Sequence, residues 1–165
     1  MFSLLVIFLY ILLRFRKWQF SLGAVAAVFH DVLIVLSIFS LFYGILPFSL
    51  EIDQAFIAAL LTIIGYSLND TVVVFDRIRE HMGLYKKKEF TSLVNNALNS
   101  TLSRTVNTSL TTFFVLLVIF LFGGEVIRGF MFALMVGVIV GTYSSLFVAS
   151  PIMVDTIKKS EIDKK

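Results

Sequence analysis

Hydrophobic residues fall into five runs along this chain, at 2–13, 22–43, 55–75, 105–122 and 130–154. A helix needs about 20 predominantly apolar residues to cross the hydrocarbon of a bilayer, and at least about 17. The last four runs are long enough, whereas the first is short and resembles the inner end of a helix whose outer end is missing. The pattern predicts an all-α membrane fold, a polytopic bundle of transmembrane helices.

The polar stretches between these runs predict one further helix and a tail. From 90 to 103, apolar side chains recur at helical spacing, which predicts an amphipathic helix lying at the membrane interface. The charged segment 155–165 predicts a cytoplasmic tail. We therefore expect one transmembrane domain over residues 1–154.

The composition agrees with an integral membrane protein and excludes several other classes. Hydrophobic residues make up 58% of the 165 residues, whereas soluble domains contain about 45–50%. The net charge of +3 does not indicate nucleic-acid binding, because the cations lie in loops between apolar runs. The chain has no Cys, which excludes disulfides, cysteine-ligated zinc and thiol catalysis.

The lysines and arginines predict which way the helices run. When alternate loops are assigned to one side, that side holds all but one of the 14 cations, and only Arg128 lies opposite. Because cytoplasmic loops are enriched in Lys and Arg, we predict a cytoplasmic C-terminus. The start of the first run then lies outside, so we expect the C-terminal portion of a longer or split protein. The cations assigned inside are Arg14, Arg16, Lys17, Arg77, Arg79, Lys86, Lys87, Lys88, Arg104, Lys158, Lys159, Lys164 and Lys165.

An amide and a carboxyl group, Asn69 and Asp70, interrupt the third run. A carboxylate in hydrocarbon is costly and is usually paired or functional. At a rise of 1.5 Å per residue, Asp70 falls about 8 Å from the cytoplasmic boundary. Arg104 begins the fourth run near the same boundary. We therefore expect the Arg104 side chain to reach towards Asp70 if the two helices touch.

The first half of the fourth run also carries a polar stripe, which would form a buried seam with the third run. Such a seam could carry water and protons. Burial of a carboxyl group favours its neutral form, whereas a nearby guanidinium favours the charged form, so the pair could serve as a proton relay. A static ion pair that fixes helix register is an equally good interpretation of the spacing. The stripe consists of Thr101, Arg104, Thr108, Thr111 and Thr112.

Two further features lie inside the apolar runs. His30 and Asp31, near the middle of the second run, form either a secondary polar site or a pair that packs against a polar neighbour. In the fifth run, small residues recur every four positions, which predicts close helix packing. These small residues are Gly137, Gly141, Ser145 and Ala149.

Enzyme motifs are incomplete in this chain. The segment Gly65–Leu68 is followed by Asn69, so it lacks the second glycine of a nucleophile elbow. Two histidines, one in the membrane and one outside it, do not indicate a metal cluster. We therefore expect no catalytic residue, no metal and no other cofactor.

Six sequence segments occur in a characteristic order and spacing. GYSLNDTVVVFDRIRE at 65–80 is the most specific, and it contains Asn69 and Asp70. The others are FHDVLI (29–34), AALLTIIGYS (58–67), TLSRTVNTSLTT (101–112), GGEVIRGF (123–130) and GTYSSLFVASP (141–151). Together they resemble the SecF family of bacterial protein-export membrane proteins.

The resemblance implies a fold and a set of partners. SecF pairs with SecD in a twelve-helix assembly of the resistance-nodulation-division type, of which this chain would form part of one half. The assembly works with the SecYEG channel, the SecA ATPase and YajC in the bacterial cytoplasmic (inner) membrane, surrounded by lipids. It uses the proton-motive force to promote preprotein export. A SecF normally begins with another helix and a periplasmic domain, which this sequence lacks.

The resemblance also implies site residues. Asp70 and Arg104 match the acid and the arginine implicated in proton passage, and Asn69, Thr71 and Thr108 flank them in the same motifs. Two alternatives stay open. One is a proton-driven exporter of small molecules or lipids from the same superfamily, and the other is a scaffold that holds SecD without transporting. The flanking sequence would distinguish a SecF from such an exporter. Replacement of the Asp70 carboxyl group would distinguish a transporting subunit from a scaffold.

Overall fold

The computed structural model describes residues 2–85 and 89–162, with side chains described for 4–85 and 89–157. Helices and short connections make up this part of the chain, which confirms the all-α prediction. The last two helices and a π-helical turn between them form one continuous rod. In chain order the elements are α1 (Phe2–Phe15), α2 (Trp18–Phe42), α3 (Gln54–Leu84), α4 (Phe90–Phe122), α5 (Glu125–Ser144), the π turn (Ser145–Ala149) and α6 (Ser150–Ile162).

Four helical segments of the described chain are long and apolar enough to cross a membrane. They are α2, α3, α4 and the rod that runs from α5 into α6. Helix α1 is apolar but has only 14 residues. The predicted class of polytopic membrane helix bundle is confirmed.

Local sequence explains where the long helices begin and end. The Asp53 side chain caps α3 by accepting a hydrogen bond from the Phe56 backbone N–H at 2.8 Å. Gly123 and Gly124 have extended backbone conformations and separate α4 from α5. Neither Pro nor Gly lies between Phe90 and Phe122, so nothing interrupts α4.

Two elements differ from their predicted bounds. The segment 90–103 is the first part of the continuous helix α4 rather than a separate interfacial helix. Its apolar face packs on protein, because Leu93, Val94 and Ala97 are buried in a core cluster. Helix α6 extends through Ile162 and so includes most of the predicted tail.

The bundle has two apolar clusters with a polar layer between them. The first cluster lies near the end of the bundle that carries Arg14 and Arg79, which we call the basic end. There the Phe20 ring stacks on Phe15 and meets Phe75 edge-on, with ring centroids 5.1 Å apart in both pairs. The second cluster occupies the other end of the bundle. Its buried residues are Val35, Phe39, Leu50, Phe56, Ala59, Ile63, Ala133 and Leu134.

Small residues allow α5 and its continuation to approach α2 and α3 closely. A Cβ atom added to Gly137 would overlap the Ile63 side chain, and one added to Gly141 would lie 3.0 Å from Ser67 Cβ. The backbone of Ala149 lies against Gly23 of α2 in the same way. Ser145 is buried, and its hydroxyl donates to the Thr142 carbonyl at 3.0 Å.

Candidate functional site

The polar layer begins on the buried face of α3. Ser67, Asp70 and Thr71 are all buried, and their spacing of three and four residues puts them on one face of the helix. Asn69 is exposed on the other side of the helix. The structure therefore separates two neighbours in the sequence, with the Asp70 carboxyl group facing inward and the Asn69 amide facing outward.

Asp70 is the most unusual group in this layer. Its side chain is 5% exposed, and its Oδ2 atom is buried without a hydrogen-bond partner among the residues that the structure describes. The hydroxyl of Thr71, one residue on, is also buried without a partner in that part of the chain. Buried polar atoms almost always have a partner, so two adjacent exceptions make this turn of α3 a candidate site.

Arg104 of α4 is the partner that the sequence predicts for Asp70. Within the described chain, however, neither a hydrogen bond nor an ion pair joins the two side chains. Arg104 is exposed and lies on a cleft of about 370 Å³ between α3 and α4. The residues that line this cleft are Val73, Asp76, Arg77, Glu80, Ser100, Thr101 and Arg104.

Much of the predicted polar stripe on α4 faces outward. Arg104, Thr108 and Thr111 are exposed, and Thr108 donates to the Arg104 carbonyl at 2.9 Å. Thr101 of the predicted stripe is buried, and it forms a row of buried hydroxyl groups, four residues apart, with Thr105 and Ser109, which the prediction did not include. The structure therefore buries only part of the predicted stripe: Thr101 is buried and Thr112 Oγ1 lies 3.5 Å from the Tyr66 hydroxyl of α3. Two polar stripes lie side by side on α4, and residue spacing does not show which of them meets protein.

Tyr66 and Ser109 link three helices through hydroxyl groups that the sequence analysis did not single out. The Tyr66 hydroxyl lies 3.4 Å from Ser109 Oγ and 3.5 Å from Thr112 Oγ1. Ser109 Oγ lies in turn 2.5 Å from Thr142 Oγ1 of α5. The sequence signal that could have identified Tyr66 was its position, one helical turn before Asp70.

Asp31 forms a second polar centre, on α2. Its side chain is fully buried, and its Oδ2 accepts hydrogen bonds from Ser67 Oγ at 2.5 Å and Ser144 Oγ at 2.8 Å. His30 Nδ1 lies 3.1 Å from Oδ1. Ser67 and Ser144 lie 36 and 113 residues from Asp31 along the chain, so spacing along one helix could not identify them.

Ion pairs hold the basic end together. Arg14 Nη2 of α1 donates to Asp76 Oδ2 at 2.7 Å, and Arg79 Nη2 lies 3.5 Å from Asp76 Oδ1. Arg77 pairs with Glu80 at 2.7 Å. Lys86, Lys87, Lys88, Lys164 and Lys165 of the topology prediction lie outside the described residues, as do the side chains of Lys158 and Lys159.

The profile of a family described as "Protein export membrane protein SecD/SecF, C-terminal" matches residues 1–159. The chain belongs to this family. Its relatives in the SecD/SecF family include the protein translocase subunit SecF of Rhodothermus marinus, which is 66% identical over 153 residues, covering 93% of this chain and 49% of the relative. SecF of Thermodesulfovibrio yellowstonii is 51% identical over 160 residues, covering 96% of this chain and 51% of the relative.

A solved structure of this family has the same fold. The crystal structure of SecDF in super-membrane-facing form is 46% identical to this chain with a TM-score of 0.87. The match covers 98% of this chain and 21% of the SecDF chain. The chain thus spans about half the length of the curated relatives it matches and a smaller part of SecDF.

Proposed function

We propose that this chain supplies the transmembrane part of an accessory subunit of the bacterial Sec protein translocase. With SecD, it would use the proton-motive force to promote preprotein export across the cytoplasmic membrane. Membership in the SecD/SecF family and relatives named protein translocase subunit SecF support this assignment. We propose a role in transport rather than in catalysis, and this role requires no cofactor bound to this chain.

The observation that carries the proposal is the unsatisfied Asp70 carboxyl group. A static ion pair would engage both of its oxygens, because a buried charge is stable only when it is well paired. Instead, Oδ2 has no hydrogen-bond partner among the described residues, and no ion pair there joins Asp70 to Arg104. A carboxyl group in this state can exchange a proton, and Arg104 competes with that proton for the same site. We include in this relay Thr71, which is buried beside Asp70, and the exposed Asn69 and Thr108, which a partner would cover.

Alternation between the two states of Asp70 would change how α3 packs. A charged carboxylate favours approach to the Arg104 guanidinium, whereas a neutral carboxyl group does not. Packed helices have discrete arrangements, so a local change of charge can shift one helix against another. His30 and Asp31 then form a secondary polar site beside the relay.

The exposed polar residues of α3 and α4 support the proposal that a protein partner covers them. Asn69, Arg104 and Thr108 lie in helices long enough to span the membrane, and exposure of such groups to lipid is unfavourable. We propose that SecD covers this face and completes a transmembrane domain of the resistance-nodulation-division type. SecYEG, SecA, YajC and the preprotein are the further partners, lipids cover the apolar surface, and the C-terminus is cytoplasmic.

Asp70→Asn tests the relay in the complete SecD–SecF complex reconstituted in proteoliposomes. The amide keeps the shape of the side chain but cannot exchange a proton. We expect proton conduction to fall by at least about tenfold, together with the stimulation of preprotein export. Glu80→Gln is the matched control, because it makes the same chemical change on an exposed residue of the same helix. If Asp70→Asn still conducts protons and supports export, the relay is wrong and the chain is a scaffold for SecD.

A further inference from the structure

Asp31 is a fully buried carboxyl group that the Asp70–Arg104 relay does not use. It lies in the layer between the two apolar clusters and contacts side chains from two other helices. Ser67 of α3 and Ser144 of α5 both donate to its Oδ2 atom. One carboxyl group therefore joins α2, α3 and α5 at a single level of the bundle.

The α3 side of this junction leads directly to Asp70. Ser67 precedes Asp70 by three residues and Thr71 by four, on the same buried face. Gly141 of α5 packs against Ser67, so α5 contributes no side chain of its own at this point. Because one helical turn separates Ser67 from Asp70, the position of Ser67 constrains the position of the Asp70 backbone.

The α5 side of the junction lies at a local irregularity. Ser144 immediately precedes the π turn Ser145–Ala149, and π turns inside helices are frequent at functional sites. The Ser144 hydroxyl also has a second acceptor, the Gly141 carbonyl at 3.2 Å. A hydroxyl group has one hydrogen to donate, so it can bond to Asp31 or to its own helix. The tie to Asp31 can therefore open without leaving Ser144 unsatisfied.

We infer that Asp31 is a positioning residue, which acts through Ser67 to hold the Asp70 turn of α3 against α5. It does so as a hydrogen-bond acceptor and does not itself carry protons. This inference rests on the proposed role of Asp70 in proton passage.

The replacements Asp31→Asn and Asp31→Leu separate positioning from proton carriage in the reconstituted SecD–SecF complex. Asn keeps the volume of the Asp side chain and Leu, although bulkier, keeps its branching at Cγ, but only the Asn amide oxygen can still accept from Ser67 and Ser144. We expect Asp31→Leu to lower proton conduction by about tenfold or more, whereas Asp31→Asn restores most of it. Loss with Asp31→Asn as complete as with Asp70→Asn would overturn the inference, and so would wild-type conduction with Asp31→Leu.

The double variant Ser67→Ala with Ser144→Ala tests the same tie without changing a charge. We expect it to lower proton conduction like Asp31→Leu while the amount of assembled complex stays unchanged. Ser21→Ala is the matched control, because Ser21 is also fully buried but its hydroxyl has no partner in the described part of the chain. Equal conduction in the double variant and the control would contradict the inference. Conduction by Asp70→Asn would instead refute the relay itself.

Discussion

At the scale of single residues, the relation between Asp70 and Arg104 decides between relay and static pair. The sequence places a carboxyl group and a guanidinium near the same depth, and both interpretations fit that spacing. The structure leaves Asp70 Oδ2 buried without a partner among the residues it describes and places Arg104 on an open cleft. A static ion pair would bring the two side chains into contact, so their separation favours the interpretation that Asp70 exchanges a proton.

Arg104→Lys is expected to lower proton conduction and export by roughly threefold to tenfold, because a lysine amine is a compact point charge and lacks the planar guanidinium. Conduction and export by the reconstituted complex measure the effect. Arg77→Lys serves as the control, since Arg77 pairs with the exposed Glu80 on the same cleft. Unchanged export with Arg104→Lys would show that only the charge at this position matters.

At the scale of elements, the sequence predicts where the helices lie along the chain better than it predicts what each helix face contacts. Long apolar runs identify the spans, because a span must satisfy its backbone within one helix. The pattern at 90–103 correctly indicates one apolar face, but the same face can lie on lipid or on protein, and here Leu93 and Ala97 lie in the core. The partners of Asp31 were not predictable, because contacts between distant helices leave no periodicity along the chain.

The small residues of α5 yield a prediction about helix packing. Gly137→Ala should lower the stability of the complex by about 1–3 kcal/mol, because the added Cβ atom overlaps Ile63. Thermal unfolding of the purified complex measures this loss. The double variant with Ile63→Ala should lose less stability than the two single variants lose together, since Ile63→Ala removes the overlap.

Gly83→Ala is the control for this packing experiment, because no atom of the described chain lies within 4 Å of a Cβ atom added to Gly83. It should leave the unfolding temperature unchanged or raise it slightly, since Ala favours a helix more than Gly does. Equal losses with Gly83→Ala and Gly137→Ala would show that the Ile63 contact does not limit the approach of α5 to α3.

At the scale of the whole molecule, the bundle exposes polar side chains whose contact with lipid would be unfavourable. Asn69, Arg104 and Thr108 are exposed on α3 and α4, while the apolar clusters lie elsewhere in the bundle. Arg104 also lines the cleft between α3 and α4, so a partner that covers Arg104 would close this cleft beside the proposed relay. Sequence similarity identified the family, from which we propose SecD as this partner, whereas periodicity alone predicted a buried seam within the chain.

The central claim is that Asp70 changes its protonation state, and infrared difference spectroscopy on the reconstituted complex tests this most directly. Spectra recorded across a pH step should show the carbonyl band of a neutral carboxylic acid appearing as the pH falls. Because every Asp and Glu of the complex contributes to this band, each variant is compared with the wild type. The account predicts that Asp70→Asn lacks one component of the band that the wild type and Asp31→Asn both show. Identical bands in the wild type and Asp70→Asn would contradict the account, and so would a component that disappears only in Asp31→Asn.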